Sequence, residues 1–98
     1  MSRLVVLDQR LFLQEKGIRR DRLVILSDIL RRAAKGVCRT ELMYKVGLSS
    51  AQMGKYIPVL VRADLLEVSM HSKKAVYLTT KRGREFLDIF DTLLSLLD

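Results

Sequence analysis

The chain has one cysteine (Cys38), one histidine (His71) and one proline (Pro58) in 98 residues. A lone cysteine forms no internal disulfide and fits a reducing cytosol, so a cytoplasmic protein is expected. One Cys and one His cannot build a Cys/His zinc cluster, and neither a metal nor another cofactor is expected. Uninterrupted apolar runs reach only four residues, as at Leu4–Leu7, far short of a bilayer span. That run ends at Asp8, which is not the pattern of a signal peptide. His71 and Cys38 fall on different expected elements without a third partner, and no glycine loop resembles a phosphate cradle. No enzyme is expected. The five glycines stand singly, and neither a repeat nor a flexible linker interrupts the chain.

Positive charge is what the sequence has in excess. Eighteen Lys and Arg against 11 Asp and Glu give +7, within a globular composition of 49% apolar and 30% charged residues. The excess is uneven: residues 1–84 hold all the bases and seven acids, a net of +11, whereas residues 85–98 hold four acids and no base. A basic body suits a polyanion such as double-stranded DNA, and the acidic tail calls for a different role.

Residues 1–18 read as an N-terminal arm, with strand-like Leu4–Leu7. Asp21 is placed to cap a first helix over about residues 21–35, whose stripe is Leu23, Leu26, Leu30 and Ala33. Arg31, Arg32 and Lys35 suit its negative end, and Gly36 supplies a left-handed stop. A short extended piece, Val37-Cys38-Arg39, follows. Thr40 is expected to cap a second helix, Glu41–Val46, which Gly47 ends. Ser49 and Gln52 form a capping box for a third helix with the stripe Met53, Tyr56, Ile57, Leu60 and Val61. Pro58 should remove a bond to Gly54 and kink that helix. Leu65–Met70 and Ala75–Leu78 read as strands joined by the polar loop His71–Lys74. Thr79 or Thr80 then caps a last helix. A helix-turn-helix followed by a hairpin predicts a winged helix, mainly α with a small β-hairpin (α+β).

The segments Thr40–Ser49, Lys55–Ile57, Leu65–Glu67 and Tyr77–Leu87 resemble small archaeal winged-helix proteins. The threonine-rich start of the last helix and its Gly83-x-x-Phe86-Leu87 step carry most of the likeness, which covers residues 19–98. The resemblance implies a winged-helix domain over 19–98 that ends in a helix over 80–98. It also implies DNA binding and pairing of that helix in an antiparallel coiled coil.

The candidate DNA-binding residues follow from this layout. Ser49, Ser50, Gln52 and Lys55 lie on the third helix near its N-terminus, where such helices reach base edges in the major groove. Gln52 could pair with adenine and Lys55 with guanine or phosphate. His71, Lys73 and Lys74 put charge on the wing beside a duplex backbone, and Arg39 and Lys45 flank the second helix as phosphate contacts. Ser49 and Gln52 also read simply as a cap, and the wing lysines as guards of a sheet edge. Cys38 reads as a small core filler.

The last helix is apolar over nearly half its circumference. A second copy is expected to cover it through Phe86, Phe90, Leu93, Leu94 and Leu97, giving a homodimer. The other cover considered is the arm, through Leu4, Leu7, Leu11 and Phe12. A membrane-surface role is disfavoured by the helix's acidic polar face. Two functions therefore compete: a homodimeric transcription regulator or architectural DNA-binder, and a protein-interaction module that docks through the Ala51–Val59 face.

Overall fold

The computed structural model describes residues 18–97, with side chains from Arg22 onward. The expected arm, with Leu4, Leu7, Leu11 and Phe12, lies outside the described residues. The elements are α1 (Ile18–Arg32), β1 (Val37–Cys38), α2 (Arg39–Val46), α3 (Ser50–Arg62), β2 (Leu66–His71), β3 (Lys74–Thr79) and α4 (Lys81–Leu97). The strands form one antiparallel sheet in the order β1-β3-β2. This is a winged-helix α+β fold.

The bounds of β2 and β3 each shift by one residue from expectation, and those of α1 and α2 shift further. Helix α1 starts at Ile18, so Asp21 lies inside the helix instead of capping it. The helix ends at Arg32 rather than Lys35. Its buried stripe is Leu26, Ile29 and Leu30, continued by Ala33 just past its end, while Leu23 is exposed. Helix α2 starts at Arg39 with Cys38, not Thr40, at the N-cap. The cause is strand pairing: Val37 opposite Tyr77 and Cys38 opposite Val76 hold the chain extended up to the helix.

Helix α3 keeps its capping box. The Gln52 N–H donates to Ser49 Oγ at 3.1 Å, and the Ser49 N–H donates to Gln52 Oε1 at 2.9 Å. Met53, Tyr56, Ile57 and Leu60 are buried, but Val61 is exposed. At 100° per residue Val61 sits about 80° from Met53, at the margin of the stripe. The helix continues through Pro58 to Arg62. Gly47 ends α2 in the left-handed conformation (φ 79°), its N–H donating to the Met43 carbonyl, and Leu48 then enters the core.

The wing is tighter than the expected four-residue loop. His71 and Lys74 are the last paired residues of the two strands, leaving Ser72 and Lys73 as a two-residue turn. Both have positive φ, 52° and 69°. That pattern matches the strands' right-handed twist, although neither residue is the glycine or asparagine such turns favour.

Thr80, of the two candidate threonines, caps α4, accepting from the Gly83 N–H at 3.0 Å. Thr79 is buried and donates its hydroxyl to the Leu30 carbonyl at 2.6 Å. The backbone N–H groups of Thr79 and Thr80 donate to Ala33 and Leu65, and the Thr80 hydroxyl donates to the Asp64 carbonyl. These bonds tie the start of α4 to the ends of α1 and α3. Gly83 lies where α4 crosses the Leu65 carbonyl so closely that a Cβ would collide with that oxygen.

Candidate nucleic-acid interface

Leu42, Leu48, Met53 and Leu60 pack α2 and α3 onto the same core as Leu30 and Tyr77. This packing fixes α3 with Ser50, Ala51, Gln52, Lys55, Pro58 and Val59 exposed. The capping box occupies the Gln52 carbonyl oxygen. A bidentate pairing with adenine needs that oxygen as well as the amide nitrogen, so it requires the box to open. Lys55 makes no ion pair among the described residues, and its Nζ lies 5.7 Å from the centre of the Tyr56 ring.

The other candidates occupy distinct places. Lys73 forms the exposed wing tip, with His71 and Lys74 exposed on the strands beneath it. Lys45 is joined to Glu41 at 3.0 Å, one turn earlier on α2, which offsets part of its charge. Arg39 bridges two elements: Nη2 donates to Ser50 Oγ at 3.2 Å and Nη1 to the Tyr77 hydroxyl at 3.5 Å. The structure thus joins Arg39 to Ser50, and Ser49 to Gln52. Lys73 and Lys74 remain a separate basic point. Cys38 is half-buried at the α2 N-cap. Among the described residues no three His, Cys, Asp or Glu side chains converge as a metal site.

Sequence reasoning missed two features. Tyr44 on α2 is 87% exposed; its signal was its place two residues from buried Leu42, on the opposite side of the helix. The second feature is on α4. Leu87 and Phe86 pack against the core, and Phe86 stacks on Phe90 with centroids 6.2 Å apart. Ile89 and Leu96 are the most exposed apolar residues of the helix, at 68% and 76%; of the residues expected to pair with a second copy, Leu93, Leu94 and Leu97 are also exposed, and Phe86 and Phe90 are half-buried. Phe86, Ile89, Leu93 and Leu96 follow the alternating three- and four-residue steps of a coiled-coil seam. A groove of about 270 Å³ opens beside this seam between Phe86, Ile89, Ala63 and Leu65. The Arg31 guanidinium pairs with the Asp91 carboxylate and clamps α4 to α1. The hydrogen bond from Arg31 holds Asp91 below the ordinary carboxylate range; the Arg31 charge adds to this and partial burial opposes it.

Helix α2, the Gly47 turn and α3, followed by the β2–β3 wing on a three-stranded sheet, define the family, whose sequence profile matches residues 19–98. The chain belongs to the winged helix-turn-helix family. Two solved structures are similar to it. Sso10a-2, a DNA-binding protein from Sulfolobus solfataricus, is 26% identical with a TM-score of 0.60, over 76% of this chain and 85% of that one. ZitR from Lactococcus lactis, in a mutant apo form, superposes with a TM-score of 0.62 over 99% of this chain and 76% of its own. At 16% identity that second likeness concerns the fold alone. No curated protein matches the chain. No described helix of this winged-helix chain is long and apolar enough to cross a membrane.

Proposed function

We propose that this winged-helix protein binds double-stranded DNA as a homodimer, acting as a transcription regulator or architectural DNA-binder. The observation that carries the reading is the pairing of an exposed helix N-terminus, Ser49 to Lys55, with a basic wing tip at Lys73 and Lys74. In this fold the helix enters the major groove and flanking cations meet the backbone. The 26% identity to a DNA-binding protein of the same fold supports it. Because Gln52 is held in its cap, Lys55 and phosphate contacts dominate, and low to moderate sequence selectivity follows.

The homodimer rests on α4. Its Phe86-Ile89-Leu93-Leu96 seam leaves Ile89, Leu93 and Leu96 exposed along one face, where a second copy would cover them. Its charges oppose the helix dipole: Lys81, Arg82 and Arg84 stand at the positive end, with no acid in the first turn and no base in the last.

The competing reading, a protein-docking module, is favoured by the apolar character of the face of α3 around Ala51, Pro58 and Val59, with Val59 exposed. A salt titration of binding to mixed-sequence duplex, repeated with random RNA, separates the two. The DNA reading expects tight duplex binding that weakens steeply with salt, since each phosphate contact contributes about −0.9 to the log–log slope. Absence of duplex binding at low salt would leave the docking reading in first place.

A further inference from the structure

The geometry points to Arg39 as a positioning residue that sets the wing against the reading helix, rather than as one more phosphate contact. This inference rests on the DNA-binding reading and concerns how that site is held.

Arg39 is the first residue of α2, directly after β1, so its backbone is fixed by the pairing of Val37 and Cys38 with the central strand β3. From there the guanidinium reaches the two parts of the interface that no other described side-chain bond connects. One nitrogen donates to Ser50, in the first turn of α3, and the other to Tyr77, in β3, the strand that leads back from the wing tip. Tyr77 is buried, with its ring in the core and its hydroxyl turned to Arg39. The guanidinium gives each acceptor its own nitrogen in a planar fork, a geometry that the single nitrogen of a lysine ammonium does not reproduce. An angular error between α3 and the wing would prevent both from meeting one duplex together, so this tether acts on affinity without touching DNA.

The test uses the full chain with Arg39→Lys, Arg39→Ala, Tyr77→Phe and the combination Arg39→Ala/Tyr77→Phe, titrated with mixed-sequence duplex over a range of salt. Tyr77→Phe removes one hydroxyl and no charge. The positioning role expects Arg39→Lys and Tyr77→Phe each to weaken binding about three- to tenfold, the scale of one hydrogen bond, with the salt slope unchanged. The double variant should bind no worse than Arg39→Ala alone. If Arg39 instead touches phosphate, Arg39→Lys keeps most of the affinity, Arg39→Ala lowers the slope by about one unit, and Tyr77→Phe binds like the parent. That pattern overturns the inference. Should the parent itself bind no duplex, the DNA reading fails first, and amide exchange in the free protein decides the tether. Faster exchange at Ser69 and Val76 in Arg39→Lys and Tyr77→Phe, with global melting held, supports it, and unchanged exchange rejects it.

Discussion

Gly83→Ala tests the packing on which the placement of α4 depends. Replacing glycine by alanine inside a helix ordinarily stabilises by about 1 kcal/mol. Here the added methyl would collide with the Leu65 carbonyl oxygen and lie 2.6 Å from Thr79 Cγ2. Neither neighbour can give way cheaply. The Leu65 carbonyl accepts from the Thr80 N–H at 3.1 Å, and the Leu65 N–H donates to Leu60 at 2.9 Å. Thr79 is buried and bonded to Leu30. Relief therefore means lifting α4. That costs about 1–3 kcal/mol of overpacking strain, about 1 kcal/mol for a loosened bond to Leu65, and about 1 kcal/mol for a disturbed Thr80 cap. After the propensity gain the net loss is about 2–4 kcal/mol, or about 8–30 °C in Tm for a domain of this size. Gly54→Ala is the matched control, because a Cβ there meets nothing within 4 Å; it should raise Tm by a few degrees. Thermal unfolding followed by circular dichroism reads both. A Gly83→Ala protein that melts at or above the parent temperature would refute the reasoning, since the helix gain would then have outweighed the clash.

The remaining predictions concern charge, assembly and the proline. Lys73→Ala with Lys74→Ala should weaken binding to every duplex alike and lower the salt slope by one to two units per wing; an unchanged slope would remove the wing from the interface. Leu93→Glu with Leu96→Glu should give a monomer in sedimentation, because charges in an apolar seam are not solvated; a folded dimer that survives would reject the α4 interface. Asp91→Asn should lower Tm at neutral pH by releasing Arg31. Asp91 titrates below the ordinary carboxylate range in the folded protein, so its stabilising contribution is full above the unfolded value and fades as pH falls through the lowered one. The gap between parent and variant should close in strong acid and narrow with added salt, and a gap that persists in acid would assign the loss to packing. Pro58→Ala restores a donor for the Gly54 carbonyl and should raise Tm, by less than the ~3 kcal/mol propensity difference. An unchanged or lower Tm would mean that the neighbours of α3 are fitted to the proline.

Local chemistry was legible in the chain itself. Ser49 and Gln52 form their box, Gly36 and Gly47 adopt positive φ, and Met53, Tyr56, Ile57 and Leu60 face inward. Each depends on residues within one or two turns, where spacing and side-chain type suffice. The winged-helix order follows from such local signals taken in sequence. What the sequence could not decide depends on contacts between distant segments. The α2 start moved to Arg39 because β1 pairs with a strand almost forty residues away, a constraint that no capping preference at Thr40 can express. The reach of Arg39 to Ser50 and Tyr77 likewise exists only once the sheet is assembled. On α4, periodicity marks an apolar half-circumference but does not say which part the domain covers. Gly83 against Leu65, and Arg31 against Asp91, set the roll of that helix. That roll turns Phe86 and Leu87 to the core and leaves Ile89, Leu93, Leu94, Leu96 and Leu97 exposed. The division is physical: a helix's amphipathicity is written in one segment, and its orientation is fixed by the other surfaces it must meet.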